Sequence, residues 1–271
     1  MESTFTRVVL RIWVALVLLF LFFPLALVIL YAFNEPVIQS WPITSWSTKW
    51  FSVAWHDEAV RSAFLLSLKA GAIATLIALV LGSCAAFAVH RFRFFGREAV
   101  SLILLLPIAL PGIVTGIALN SFFLFNHVNL GLFTIVVGHA TFCIVIVYNN
   151  VVARLRRAPG SFTEASMDLG AHGWQTFRYV TFPLLRTSII AGALLAFALS
   201  FDEVIVTIFT AGANRTLPIW ILGELRLGQQ LPEVNVVVFF VILVTIIPVA
   251  VAAKLAGAGF VSSAPVAEPA P

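Results

Sequence analysis

Asp202 and Glu203 are adjacent carboxylates in SFDEVIVTIFTAG (Ser200 to Gly212), a stretch that is otherwise mostly apolar. An ionised acid in such surroundings is costly unless something compensates it. Two kinds of compensation are open. A carboxylate facing a pathway meets a cation in transit, as rings of acids do in cation pores. Alternatively, the acids pair with Lys69 or Arg215, or take backbone donors at a break in the helix. On an unbroken helix neighbouring side chains point about 100° apart, so at most one of the two faces a pore. His139 and Ser200 are further polar groups at membrane depth and would suit an intramembrane enzyme. That chemistry has no pattern behind it: H-E-x-x-H, G-x-S-x-G and paired aspartates on two spans are all missing. His139 alone reads as a packing histidine with local partners. Cys84 and Cys143 lie inside apolar blocks and give neither a disulfide framework nor a metal site.

A second polar stretch, EASMDLGAHGWQTFRYVTFPLL (Glu164 to Leu185), separates two apolar blocks. Ser161 with Glu164 fits a capping box that starts a helix, and Gly170 is placed to end it in the left-handed conformation. A second short helix runs from Gly173 through Val180, anchored by Trp174, Phe177 and Tyr179 or Val180, with Pro183 as its stop. Small residues at Ala165, Ser166 and Ala171 let another surface approach the backbone. Two such helices make a compact knob suited to a groove in a soluble partner. The alternative is an amphipathic loop on the bilayer, with Arg178 and Arg186 on headgroups.

The elements that position these groups follow from composition. Of 271 residues 61% are hydrophobic and 10% charged, and the mean hydropathy is +1.05, so the chain is an all-α integral membrane protein; strand-like alternation is absent. Six spans are expected: Val8 to Ala32, Ala63 to Val89, Ala99 to Phe125, Leu132 to Val152, Thr187 to Ala211 and Val234 to Lys254. The first is longer than a signal-peptide core and lacks a cleavage site, so it reads as retained. In the third, Pro107, Pro111, Gly112 and Gly116 predict a packing kink or a hinge. Arg7, Arg11, Arg91, Arg93, Arg97, Arg154, Arg156, Arg157, Arg178, Arg186 and Lys254 fall on one side of the membrane, against Lys49, Arg61, Arg215 and Arg226 on the other. The positive-inside rule then puts both termini and the loop 153–186 in the cytoplasm. This dispersed charge, formally +4, speaks for membrane lipid and against nucleic acid. Trp41, Trp46, Trp50 and Trp55 read as interfacial anchors on the outer surface. Residues 1–255 make one transmembrane domain, with 153–186 as its cytoplasmic loop, and 256–271 an Ala/Pro-rich tail expected to be disordered. No G-x-x-x-x-G-K-[ST] loop occurs, so ATP has no usual cradle here. No internal repeat supports a self-sufficient secondary transporter or channel, which stands as the alternative.

Glu164, Ala165, Ser166, Gly170, Val180, Phe182 and Pro183 resemble the "EAA" loop of ABC importer permeases, E-A-A-x3-G-x9-I-x-L-P, with matching spacing and Ser166, Val180 and Phe182 as substitutions. The six-span layout, the Trp-rich first outer segment and SFDEVIVTIFTAG resemble the spermidine/putrescine branch. The resemblance implies a MetI-like permease fold and ATPase coupling through the loop. It also implies a second, different permease chain, two ATP-binding subunits that hold ATP and Mg, and an extracytoplasmic substrate-binding protein. This chain itself would bind no cofactor, and would sit in a bacterial or archaeal plasma membrane.

Overall fold

The computed structural model describes residues 4–261, and among these every named element is helical. In order they are α1 (Thr4–Tyr31), α2 (Lys49–His56), α3 (Glu58–Arg91), α4 (Arg97–Ala109), α5 (Gly112–Phe125), α6 (Leu132–Arg157), α7 (Ser161–Asp168), α8 (Gly173–Thr176), α9 (Phe182–Phe201), α10 (Ile205–Thr210), α11 (Leu217–Leu227) and α12 (Leu231–Val261). A π turn, Phe177–Thr181, joins α8 to α9. Among the described residues four helical stretches are long and apolar enough to cross a membrane: α1, α3, α6 and Gly173–Phe201. A fifth crossing is possible through α4 and α5, bent by 101° at their junction. The apolar part of α12, Leu231–Ile246, is shorter.

The described residues divide into two compact units, one drawn from 1–61 with 220–247 and one from 62–219 with 248–271. In the first, no residue of α1 is buried, so water would be a poor solvent for it and hydrocarbon a good one. The segment after α1 folds on itself through an isolated bridge between Asn34 and Trp46, and the Trp50 indole donates to Glu35 O at 3.0 Å. Phe33, Phe51, Phe239 and Phe240 stack beside it with ring centroids 5.0–6.0 Å apart. Trp41, Trp46 and Trp55 stay exposed.

The second unit is built around α6, the most buried helix, with Ile135, Cys143, Val147 and Val151 fully enclosed. Against it pack α3 through Ala78 and Ala86 and α9 through Leu185 and Ala196. The alanines suit this role, since small side chains let membrane helices approach closely. Gly82 marks the tightest point: a Cβ there would come within 2.8 Å of Ile144 O.

Three expected elements differ from those observed. The third span is two helices, because Pro111 cannot donate to the ladder and biases Leu110 to an extended ψ of 142°. The fifth begins earlier, at Gly173, and is broken at Asp202–Val204 rather than running on to Ala211. The sixth continues as helix to Val261, into what the sequence reads as tail; residues 262–271 of that tail lie outside the described residues.

Candidate functional site

The stretch from Ser161 to Thr210 carries both groups of candidate residues, and both sit where it is irregular. Its first part begins at α7. Ser161 is already the first helical residue and Gly160 the N-cap, with no side-chain cap bond, so the expected capping box does not form. The other end is capped fully. Gly170 has φ +84°, its N–H donates to Met167 O at 2.9 Å, and the Ala171 N–H donates to Ser166 O at 3.1 Å. These are the paired bonds of a Schellman motif. The next helix starts at once, with the Gln175 side chain accepting from His172 N at 3.0 Å, and Ser166 Oγ meets Thr176 Oγ1 at 3.1 Å to pin the two helices together.

Pro183 does not stop the second helix. It occupies the first turn of α9, where an α-helical register would press its ring on the carbonyl of Tyr179. The π turn relieves this: the Phe182 N–H reaches back to Phe177 O, five residues earlier, and the helix continues. Phe177 is the anchor of the turn, stacked on Trp174 at 5.5 Å, edge-on to Phe87 of α3 at 5.5 Å and 6.1 Å from Phe182. Tyr179, expected as an alternative anchor, is exposed. Arg154 Nε of α6 donates to Leu184 O at 3.0 Å. The loop is therefore tied to α3 and α6, and beneath it lies a cavity of about 380 Å³ lined by Phe87, His90, Leu155, Met167, Phe177 and Leu184. Outward it presents Glu164 and Ala165, with Phe162, Leu169 and Trp174 at 51%, 89% and 63% exposure.

The second irregularity is the break. Asp202 ends α9, and Glu203 and Val204 are in no helix before α10 begins. The premise of a regular 100° spacing between the acids therefore fails. Their environments differ: Glu203 Oε1 accepts from Val206 N at 2.9 Å, satisfying a free donor in the first turn of α10, whereas Asp202 is exposed. Among the described residues neither acid forms an ion pair with Lys69 or Arg215.

α10 is held in a socket. Gly116 on α5 and Gly138 on α6 leave room for it: a Cβ at Gly116 would come within 2.5 Å of the Phe209 ring, and one at Gly138 within 3.0 Å of Val206. Asn120 donates to Phe209 O at 2.6 Å and Thr134 to Thr210 O at 2.6 Å. His139 and Ser200 are brought together, with Nδ1 2.7 Å from Ser200 Oγ and Nε2 2.8 Å from Thr207 Oγ1. All three are buried, so the reading of His139 as a satisfied packing residue agrees with the geometry. Asn120, Thr134 and Thr207 carried no readable signal, because each partner lies far away in sequence. Pro107 lies inside α4, while Pro111 and Gly112 flank the 101° bend, with Gly112 3.5 Å from Ile205 of α10 by the same Cβ test.

Several membrane-length helices, one path broken between α9 and α10, and a structured polar loop between spans make up a multi-pass membrane protein. Residues 78–258 match the family described as binding-protein-dependent transport system inner membrane component, and the chain belongs to that family. It is the multi-pass, non-catalytic permease subunit of an ABC importer. It is 35% identical over 225 residues to the putrescine transport system permease protein PotI of Escherichia coli (strain K12), covering 80% of this chain and 79% of that one. It is 29% identical over 229 residues to the spermidine/putrescine transport system permease protein PotC of Haemophilus influenzae, covering 84% and 88%. A solved bacterial ABC transporter involved in import of the acidic polysaccharide alginate shares the fold, with a TM-score of 0.68 at 17% identity over 94% of this chain and 98% of that chain.

Proposed function

We propose that this chain is half of a two-permease pore importing polyamines. It works with a second, different permease chain, two ATP-binding subunits carrying ATP and Mg, and an external substrate-binding protein. The chain has no phosphate loop, so the motor is a separate polypeptide. The relatives named for putrescine and spermidine support the substrate class. The observation that carries it is the exposed Asp202 carboxylate at a helix break, since non-helical backbone at membrane depth is tolerated where it is buried or lines a water-filled path. A carboxylate without a counter-cation there suits an ammonium in transit.

The loop from Glu164 to Pro183 is the ATPase-coupling element, with Glu164, Ala165, Ser166, Gly170, Val180, Phe182 and Pro183 in that role. Its support is that the structured knob keeps Phe162, Leu169 and Trp174 exposed, as apolar side chains are at partner surfaces. Pro107, Pro111 and Gly112 form the hinge. The positive-inside balance places the loop and both termini in the cytoplasm.

Uptake of labelled putrescine and spermidine by the reconstituted complex, with ATP supplied on the loop side, tests this reading. ATP-dependent uptake competed by other polyamines is expected. Uptake without an ATPase, or insensitivity to polyamines, would overturn it. Labelling of cysteines placed at Gly173 and Asn214 tests the orientation: the first should react only from the cytoplasm and the second only from outside.

A further inference from the structure

We infer that His139 is a positioning residue for substrate passage: it spans the break between α9 and α10 and fixes the Asp202–Val204 segment. This rests on the reading that the break lines the substrate path. Thr207 Oγ1 lies 2.7 Å from Glu203 O, and a carbonyl can only accept, so the one Thr207 hydroxyl proton is committed to Glu203. Thr207 must then accept from His139 Nε2–H at 2.8 Å. In the neutral ring Nδ1 is left as the acceptor, and Ser200 Oγ–H donates to it across 2.7 Å. The bonds run in one direction, from Ser200 on α9 through the imidazole to Thr207 on α10 and on to the Glu203 carbonyl inside the break.

The position of this chain matters more than its strength. Ser200 precedes the break and Thr207 follows it, so one ring sets the separation of the two helix ends. Glu203 is gripped twice, by its carbonyl through Thr207 and by its carboxylate through the Val206 N–H. Asp202, the exposed acid, lies between Ser200 and Glu203 and inherits its place from both. His139 is itself anchored on α6, the buried centre of its unit, so the segment is referred to the most enclosed helix of that unit.

The test compares variants at Thr207 and Ser200 with His139→Phe in the full transporter, measuring uptake KM and Vmax together with assembly and basal ATPase activity. Thr207→Val keeps the shape and removes the hydroxyl; Thr207→Ser keeps the hydroxyl. Losing one buried link should raise KM for putrescine by about tenfold in Thr207→Val and Ser200→Ala, with assembly and basal ATPase retained. Thr207→Ser should stay within about twofold of wild type, as it preserves the bond. His139→Phe should add little to Thr207→Val, because both cut one chain. Wild-type KM in Thr207→Val and Ser200→Ala would overturn the inference, as would uptake lost only in proportion to assembly. Asp202→Asn is run alongside: if it leaves uptake untouched, the path reading fails. If it raises KM while the Thr207 and Ser200 variants do not, the positioning role alone fails.

Discussion

Two interruptions of one helical path behave oppositely. Just after Phe177–Thr181 the chain carries Pro183, in the first turn of α9, yet the helix survives by widening one turn. At Asp202–Val204 there is no proline or glycine, yet the helix ends. The difference lies in who satisfies the backbone. At the π turn the helix does so itself, through the Phe182 N–H to Phe177 O bond. At the break, side chains substitute for the ladder: the Glu203 carboxylate takes the Val206 N–H, the Thr207 hydroxyl takes the Glu203 carbonyl, and His139 of α6 bridges Ser200 and Thr207. A self-satisfied irregularity passes force along a helix as a rod would. One satisfied by other helices moves when they move. The first property suits a coupling element and the second a segment that responds to its surroundings.

The largest effect should come from filling the socket. Gly116→Val places a branched side chain where even one carbon meets the Phe209 ring at 2.5 Å. Overpacking of this kind costs about 1–3 kcal/mol, and because α10 has only six residues to resist it, it should be displaced. Uptake by the reconstituted complex should be abolished. Wild-type uptake would show that the position of α10 is unimportant and remove the contrast.

Gly170→Val should rank next, and it acts at the other interruption. Gly170 has φ +84° with nothing within 4 Å of its Cβ direction, so the cost is backbone alone, about 1–2 kcal/mol for a left-handed residue and more for a branched one. The Schellman bonds would be lost and Glu164, Leu169 and Trp174 would no longer be presented together. Copurification of the ATPase and uptake should fall about tenfold, as a loss of that size implies, while membrane insertion stays normal. Intact copurification with normal uptake would dissociate the loop from coupling.

These regions were unequally legible in the sequence. The end of α7 could be read because a left-handed C-cap has a residue signature, Gly170, and the bend of the third span because Pro111 removes a donor. Pro183 reads as a stop, since sequence shows the missing N–H but not the stacking of Trp174, Phe87 and Phe182 around Phe177 that accompanies the widened turn. The supposed capping box failed because the helix begins one residue earlier than its pattern requires. The break's one local mark is the pair of acids, for which backbone donors at a helix break are one of the two compensations the sequence leaves open, and Glu203 takes such a donor from Val206. The break's other determinants are partners such as His139 and Thr207, 68 residues apart, and no periodicity within the fifth span encodes them.

The smallest expected effect separates the two acids. Glu203→Gln retains an oxygen that can accept from the Val206 N–H, so the bond at 2.9 Å can persist. What is lost is the charge. A negative charge near a helix N-terminus contributes about 0.3–1 kcal/mol, and removing it also relieves the cost of holding an ion in apolar surroundings. The two changes have opposite sign, so uptake kinetics for putrescine should stay within about threefold of wild type, the range spanned by a few tenths of a kcal/mol. Glu203→Ala removes the acceptor as well and leaves a free donor, a loss of about 1–3 kcal/mol. Its uptake should therefore fall clearly below that of the glutamine variant. Asp202 has no such bond to preserve, so Asp202→Asn should raise KM more than Glu203→Gln does. The reverse order would mean that Glu203 presents its charge to the substrate and that its bond to Val206 opens during transport.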